Sequence, residues 1–306
     1  MKKTIIITGA LGQDGLILSK ILLKNKKYRV IGVVKKKSRN KKLKNKNILY
    51  KNINLLNLKS IIKLIQKYKP ECIVHLAAIN NSHHKVHNIN FRKYYKTNIK
   101  ITKNLINALV KVDKKIKFIF AGSSQMYSSK KKKIINEKTK FKSKLFYGRY
   151  KIDSHYFLMK IKKKYDLKIT TVILFNHDSK FRNNKFLLPR VVHAIKFNKL
   201  LFLKKIYSIN ISGDFSHADD ICNGIFLIIN SKENLDKIIL SSSKITEFNN
   251  IINYFSKKEK FFLTLRENKN LNNNACIGDN SLAKKKMNWK PKKTIYDAAQ
   301  ELFDVI

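Results

Sequence analysis

Cysteine is scarce in this chain of 306 residues, and its three copies stand far apart. Cys72, Cys222 and Cys276 show neither CxxC nor Cys/His spacing, which argues against a zinc site and a disulfide framework. No stretch of about 18 consecutive apolar residues occurs, so the sequence predicts no transmembrane helix. We therefore expect a protein of the reducing cytoplasm, without a metal site and without a membrane partner.

Acidic residues are also few, since 19 Asp and Glu stand against 67 Lys and Arg, for a formal net charge of +48. Such a charge would by itself suggest nucleic acid as a partner. The lysines are spread over the whole length, however, and accompany a similar abundance of Asn and Ile. We interpret them as a solvated coat and expect no nucleic-acid partner. The 43% hydrophobic residues suffice for a large core, which excludes a disordered chain.

The first half of the sequence alternates short β-branched runs with longer segments of helical period, as βαβ units around a parallel sheet do. Six strands are predicted, at Thr4–Thr8, Tyr28–Val34, Ile48–Lys51, Cys72–Leu76, Ile116–Ala121 and Lys168–Phe175. This order predicts an α/β fold with a doubly wound, Rossmann-type parallel sheet. Residues 1–175 would bind the cofactor, and residues 176–306 would form a smaller C-terminal substrate-binding part with a possible strand at Lys237–Ser241.

Glycine is rare, yet three of the nine glycines lie in Thr8-Gly9-Ala10-Leu11-Gly12-Gln13-Asp14-Gly15. This glycine turn follows the first predicted strand and opens the first predicted helix. Gly9 would permit the tight turn, Gly12 would let backbone amides approach a pyrophosphate, and Gly15 would let the helix pack closely. The turn predicts a dinucleotide site, with Ala77 after the fourth strand as part of a small-residue wall against the cofactor.

The end of the second predicted strand lacks the acidic residue that would bond the ribose 2′-hydroxyl of NAD. It reads Lys35-Lys36-Lys37-Ser38-Arg39, and these cations would instead neutralise a 2′-phosphate. We therefore predict NADP as the cofactor, with Lys35 and Arg39 beside that phosphate.

A Ser, Tyr and Lys set follows further along the chain. The fifth predicted strand ends just before Ser123 and Ser124, and Tyr147 and Lys151 lie one helical turn apart on one face of a later helix. A lysine ammonium and an oxidised nicotinamide would favour the phenolate of a tyrosine, whose reference pKa is about 10. Tyr147 is therefore predicted to exchange a proton with a substrate oxygen that a serine hydroxyl also contacts.

With these motifs the chain resembles the extended short-chain dehydrogenases, the NAD-dependent epimerase/dehydratase family that modifies nucleotide sugars. Within that family it is most similar to the GDP-mannose 4,6-dehydratases. The resemblance is carried by the glycine turn with Gln13 and Asp14, by Tyr147-x-x-x-Lys151, and by the segments LFNHDS (174–179), GDFSHADD (213–220) and MNWKP (287–291). It extends over the length of the chain.

The resemblance implies a nucleotide-sugar 4,6-dehydratase that oxidises C4 transiently with NADP. Tyr147 would take the proton of the 4-hydroxyl as hydride leaves C4, and Ser123 would steady the 4-oxygen. Water would then leave C6, and the hydride would return there. The resemblance also implies that Gln13, Asp14, Tyr147 and Lys151 contact the cofactor and that the protein is a homo-oligomer.

The substrate contacts come from the second half of the chain. Asn176 matches a substrate contact of the family, and Arg182 and Arg190 are candidate phosphate partners of a nucleotide sugar, most simply a GDP-linked one.

Two positions depart from the family pattern. Gln125 stands where the family has the Glu that moves the C5 and C6 protons, and a carboxamide cannot act as a base. Gly213 stands where the family usually has an Arg that grips the pyrophosphate. If the chain is a dehydratase, Asp178, His83 and His84 are the candidate replacements for the missing acid–base group.

The departure at Gln125 leaves two further hypotheses open. A nucleotide-sugar 4-ketoreductase or epimerase would need Ser123, Tyr147 and Lys151 but no carboxylate at position 125. A non-catalytic binding protein of the same fold is the remote alternative, and the Tyr147 and Lys151 pair argues against it.

Overall fold

The computed structural model describes residues 2–35, 45–79, 91–127, 133–209, 211–259 and 275–306. The strands are β1 (Lys3–Thr8), β2 (Tyr28–Val34), β3 (Leu49–Asn52), β4 (Cys72–His75), β5 (Lys117–Ala121), β6 (Lys133–Ile135), β7 (Ile169–Leu174), β8 (Asn176–Asp178), β9 (Ser212–His217), β10 (Lys237–Leu240), β11 (Ile245–Glu247) and β12 (Cys276–Gly278). The helices are α1 (Gln13–Lys24), α2 (Leu58–Tyr68), α3 (Phe91–Val112), α4 (Phe146–Tyr165), α5 (Leu187–Lys196), α6 (Leu200–Ile209), α7 (Ala218–Asn230), α8 (Phe248–Lys258), α9 (Ser281–Met287) and α10 (Ile295–Val305).

Seven strands form one sheet in the order β10-β7-β5-β4-β1-β2-β3. Strand β1 pairs in parallel with β2 on one side and with β4 on the other, so the winding direction of the sheet reverses there. The predicted doubly wound, Rossmann-type fold is thereby confirmed, and all six predicted strands are present. The residues of β4 and β7 are buried on both faces, because helices cover both sides of a parallel sheet.

The strand that the sequence suggested at 237–241 is present as β10. It is the edge strand of the large sheet, next to β7. Its residues Ile238, Ile239 and Leu240 are fully buried, and burial of this β-branched run on the edge of the sheet explains the placement.

The described residues pack into two compact units. The first comprises the described residues within 1–128, 140–173 and 222–238, and the second those within 129–139, 174–221 and 239–306. The chain therefore enters the second unit briefly before α4 and returns to the first unit within α7. The division of function at residue 175 stays a prediction.

Each unit has its own hydrophobic core. In the first unit the helices and the sheet bury a cluster that includes Ile6, Ile31, Leu64, Ile73, Leu105 and Phe118. In the second unit α5, α6, α8 and α10 bury a cluster that includes Leu188, Val191, Ile195, Phe248, Ile251 and Leu302. In the parts of the chain that the structure describes, no helix combines the length and the apolar character that crossing a membrane requires.

Candidate active site

The glycine turn connects β1 to α1 at the point where the sheet reverses its winding direction. Gly9 has a φ of +74°, in the left-handed region that residues with a Cβ rarely adopt. Its amide donates to the carbonyl of Val33 at 3.1 Å, which ties the turn to the end of β2. Gly12 is the N-cap of α1 and makes no side-chain cap hydrogen bond, and the N-terminal end of a helix carries the partial positive charge that attracts an anion.

A cleft of about 1030 Å³ runs along the glycine turn. Its lining includes Gly9, Gly12, Lys35, Ala77, Ile79 and Tyr94. The cleft lies at the carboxyl ends of β1, β2 and β4, where doubly wound sheets bind their ligands. Its volume suits a large ligand such as a dinucleotide, and the helix N-terminus offers amides for its phosphates.

The predicted cofactor residues divide into two groups. Gly9, Gly12, Lys35 and Ala77 line the cleft. Gln13, Asp14 and Gly15 form the first turn of α1 instead, where the Gln13 side-chain amide donates to the Asp14 carboxylate at 3.0 Å. Arg39, like the candidate bases His83 and His84, lies outside the described residues.

Helix α4 carries Tyr147 and Lys151, and Lys151 points into the first unit. Its side chain is 2% exposed, its Nζ donates to the Ala121 carbonyl at the end of β5, and it lies 5.5 Å from the centre of the Tyr147 ring. Burial lowers the pKa of Lys151 to about 7, and the charge of Asp14 opposes that shift. The helix thus holds the lysine nitrogen beneath the tyrosine ring, as the spacing of the two residues predicts.

The segment after β5 brings Ser123 and Gln125 together. A short 3-10 turn covers Ser124–Met126, and the Ser123 hydroxyl oxygen caps it by accepting the amide of Gln125 at 3.2 Å. The side-chain oxygen of Gln125 is buried and accepts no hydrogen bond from the residues that the structure describes. A buried acceptor without a donor is costly, so this oxygen is suited to bind a hydroxyl or a water.

A second cavity of about 200 Å³ lies at this point. Gln125 and Tyr147 line it, together with Asn98, Tyr95 and Lys144, whereas Ser123 and Lys151 do not. Ile79 and Tyr94 line both this cavity and the large cleft, so the two spaces share a wall. Tyr147, the predicted proton-transfer residue, and Gln125, at the position of the family's Glu, therefore line one cavity that adjoins the candidate cofactor cleft.

Gly148 is a residue required by the packing around the site, and the sequence reasoning missed it. A Cβ at this position would stand 2.1 Å from the carbonyl oxygen of Gln125 and 2.2 Å from the hydroxyl of Ser143. The first turn of α4 therefore approaches the Ser124–Met126 turn only because residue 148 has no side chain. The scarcity of glycine was the available signal, since each glycine in such a chain calls for a structural reason.

The predicted substrate residues Asn176, Arg182 and Arg190 all belong to the second unit. Asn176 begins β8 and is exposed, and Arg190 is exposed on α5. Arg182 makes an ion pair with the buried carboxylate of Asp178 at 2.8 Å, and its guanidinium lies 3.5 Å from the centre of the Phe186 ring. This ion pair joins Arg182, a candidate phosphate partner, to Asp178, a candidate base, so each already has a partner within the protein. The assignment of Asn176, Arg182 and Arg190 to the substrate stays a prediction.

Two of the resemblance segments stabilise the second unit. The carboxylate of Asp214 is 1% exposed, and it accepts hydrogen bonds from the amides of Ser242, Ser243 and Gly278 at 2.8, 3.1 and 3.0 Å. Burial raises the pKa of Asp214, and these bonds oppose the shift. The Trp289 indole donates to the carbonyl of Asp220 at 2.9 Å. Next to Asp214, Gly213 is buried within β9, where the family's usual arginine is absent.

His217, Asp219 and Glu301 form a group of metal-ligand type in the second unit. The Lys293 ammonium lies 2.8 Å from the Asp219 carboxylate and 3.0 Å from that of Glu301. A cation is therefore already supplied by the chain itself, and we assign no metal to this group. The expectation of a metal-free protein stays a prediction.

Comparison with known proteins adds the family to this geometry. The GDP-mannose 4,6 dehydratase family matches residues 6–302. The chain belongs to this family. The resemblance inferred from the motifs is confirmed, and with it the grouping among nucleotide-sugar dehydratases and epimerases.

Individual relatives show the range of activities around the chain. It is 27% identical over 322 residues to GDP-mannose 4,6 dehydratase 1 of Arabidopsis thaliana, covering 95% of this chain and 86% of that one. The fold is similar to UDP-glucuronic acid 4-epimerase of Bacillus cereus in complex with NAD, with a TM-score of 0.81, 21% identity, and coverage of 98% and 97%. It is also similar to dTDP-glucose 4,6-dehydratase of Bacillus anthracis in complex with NAD, with a TM-score of 0.82, 17% identity, and coverage of 99% and 96%.

Proposed function

We propose that this chain is a nucleotide-sugar 4,6-dehydratase that acts on GDP-mannose or a similar GDP-linked sugar through transient oxidation at C4. The observation that carries the proposal is the position of Tyr147, over the buried Lys151 and on the wall of a cavity that adjoins the dinucleotide cleft. The family match over residues 6–302 supports the same activity.

The residues of the chain divide the chemical work as follows. Tyr147 accepts the proton of the sugar 4-hydroxyl, and the ammonium form of Lys151 favours the phenolate that makes this transfer possible. The hydroxyl of Ser123 donates to the 4-oxygen and steadies it. Bound NADP supplies the acceptor and later the donor of the hydride. Homo-oligomerisation and a cytoplasmic location, both expected from the sequence, remain predictions.

Gln125 favours a second candidate function, a nucleotide-sugar 4-ketoreductase or epimerase. Elimination of water from C5 and C6 needs a group that moves protons, and a carboxamide at the wall of the cavity cannot do so. Reversible oxidation at C4 needs only Tyr147, Ser123 and Lys151.

Incubation of the purified protein with GDP-mannose and NADP, followed by mass spectrometry, tests the proposal. A dehydratase yields a product lighter by one water, and the same incubation with other nucleotide sugars measures the preference for GDP. Reduction of a 4-keto sugar supplied together with NADPH, without water loss, or a product of unchanged mass that chromatography separates from the substrate, would instead establish the second candidate. Absence of all three reactions across the panel would contradict both.

Cofactor preference gives a further prediction. Lys35 is exposed on the lining of the cleft at the end of β2, so Lys35→Glu is expected to raise the Kd for NADP roughly tenfold and that for NAD much less, because a carboxylate repels a 2′-phosphate. Titration of both cofactors at matched ionic strength measures the two constants.

Lys20→Glu is the matched control, because the substitution makes the same change in net charge. Lys20 is exposed on α1 and does not line the cleft. Equal effects of the two substitutions would show that only net charge matters. Tighter binding of NAD than of NADP by the unmodified protein would refute the preference itself.

A further inference from the structure

A chain of buried polar side chains joins β1, β4 and α3 beneath the candidate cofactor cleft. Thr8, His75, Asn98 and Thr102 are each at most 4% exposed. Thr8 Oγ1 lies 2.8 Å from His75 Nδ1, and His75 Nε2 lies 3.2 Å from Thr102 Oγ1. None of these four side chains has a role in the proton transfer assigned to Tyr147, so their arrangement calls for another explanation.

The direction of every hydrogen bond in this row of side chains follows from the bond that Thr102 makes to the backbone. The Thr102 hydroxyl donates to the backbone carbonyl of Asn98 at 3.1 Å, because a carbonyl can only accept. Its single hydrogen is then used, so the Thr102 oxygen must accept from His75, whose proton is therefore on Nε2. His75 Nδ1 in turn accepts from the Thr8 hydroxyl, and the Thr8 oxygen accepts the amide of Ala77 at 3.1 Å.

The other protonation states of His75 leave the chain incomplete. A proton on Nδ1 alone would set the lone pair of Nε2 against the Thr102 oxygen. A proton on both nitrogens would leave the Thr8 hydroxyl hydrogen without an acceptor and would bury a charge. Burial, reinforced by the charge of Lys151, lowers the pKa of His75 to about 3, so the imidazole is neutral at neutral pH.

Thr8 and Asn98, at the two ends of this row of hydrogen bonds, bind the backbone of residues 76–79, which form one wall of the cleft. A Cβ on Gly9 would stand 3.0 Å from the Ala77 amide nitrogen, so the wall and the glycine turn already lie in close contact there. The Asn98 side chain bonds both backbone groups of Ile79, accepting from its amide at 2.9 Å and donating to its carbonyl at 3.0 Å. Ala77 and Ile79 both line the cleft, and Ile79 also lines the smaller cavity beside Tyr147.

We propose that His75 is a positioning residue that, as its Nε2-protonated neutral tautomer, holds the wall of residues 76–79 against the glycine turn and thereby sets the affinity of the cleft for the dinucleotide. This inference rests on the proposed cofactor site. It assigns to His75 no contact with the cofactor and no proton transfer to the substrate.

Thr102→Val tests the proposal at a residue that does not line the cleft. The substitution keeps the shape of the side chain but removes the oxygen that accepts from His75 Nε2. We expect the Kd for NADP to rise roughly tenfold, and Thr102→Ser, which keeps the hydroxyl, to restore most of the affinity. Fluorescence titration measures the Kd, and thermal unfolding is recorded for each variant.

Thr171→Val is the matched control. Thr171 is fully buried in β7, and its hydroxyl lies 2.9 Å from Nδ1 of the buried His155, a pair that lines neither cavity. Removing that bond should lower the unfolding temperature while leaving the Kd unchanged. If Thr102→Val likewise destabilises the protein without changing the Kd, the chain of bonds is structural only and the proposal is wrong.

The tautomer is measured independently of any ligand. In the ¹⁵N NMR spectrum of the unmodified protein at neutral pH, the ring of His75 should carry its proton on Nε2. A proton on Nδ1, or a doubly protonated ring, would overturn the proposal even if the cofactor binds as expected. Failure of the unmodified protein to bind either NADP or NAD would instead refute the cofactor site, whatever the tautomer.

Discussion

Tyr147→Phe is expected to lower turnover on a verified nucleotide-sugar substrate by about 10²–10⁴-fold while leaving the Kd for the dinucleotide nearly unchanged. The phenolic hydroxyl is the group that accepts the proton of the 4-hydroxyl, and phenylalanine lacks it. The ring itself packs edge-on against Tyr150 with the centres 5.3 Å apart, and a phenyl ring can keep that contact. The substitution therefore removes the chemistry without removing the packing.

Measurement of kcat and of the dinucleotide Kd for the same preparation separates these two effects. Tyr156→Phe makes the same change on an exposed tyrosine of the same helix, and it should leave both quantities at their original values. Retention of most of the original rate by Tyr147→Phe would show that another group accepts the proton and that the proposed mechanism is wrong.

Gln125→Glu is expected to raise the rate of water loss from GDP-mannose by about 10²-fold or more, the usual contribution of a positioned acid–base group. Glutamate has nearly the same shape as glutamine, so it can occupy the same place on the wall of the small cavity. The side-chain oxygen there is already buried without a donor among the described residues. Burial would raise the pKa of a carboxyl at this position towards neutrality, where it can both accept and release a proton.

The rate of water loss, measured as a function of pH, tests the prediction for Gln125→Glu. The increase in rate should depend on the titration of a carboxyl group that the unmodified protein lacks at position 125. Gln125→Met is the control, since it keeps the volume of the side chain and supplies no carboxyl. An unchanged or lower rate in Gln125→Glu would show that this position is not the vacant acid–base site. Water loss in neither protein, together with reduction of a 4-keto sugar by added NADPH, would favour the ketoreductase or epimerase.

Much of the site was predictable because its signals are local. The glycine turn requires glycine because of its own backbone conformation, as the positive φ of Gly9 shows. The spacing of Tyr147 and Lys151 places both residues on one helical face whatever surrounds the helix. The glycine turn and Ser123 follow predicted strands, which brings them to the carboxyl edge of the sheet, since parallel strands end at the same edge. Gln125 was likewise visible as a departure, because it lies two positions after Ser123, where the family resemblance places a Glu.

The sequence by itself determined the strand rhythm, the glycine turn and the Tyr–Lys helix of this protein, since each depends on neighbours within a few residues. Only the tertiary structure decided which groups meet across long separations. Thr8 and His75 are 67 positions apart, and Lys151 and Ala121 are 30 apart, so no local pattern could reveal the neutral imidazole or the lowered lysine pKa. The edge position of β10 and the need for Gly148 follow in the same way from packing, because burial and close approach are properties of elements brought together by the fold.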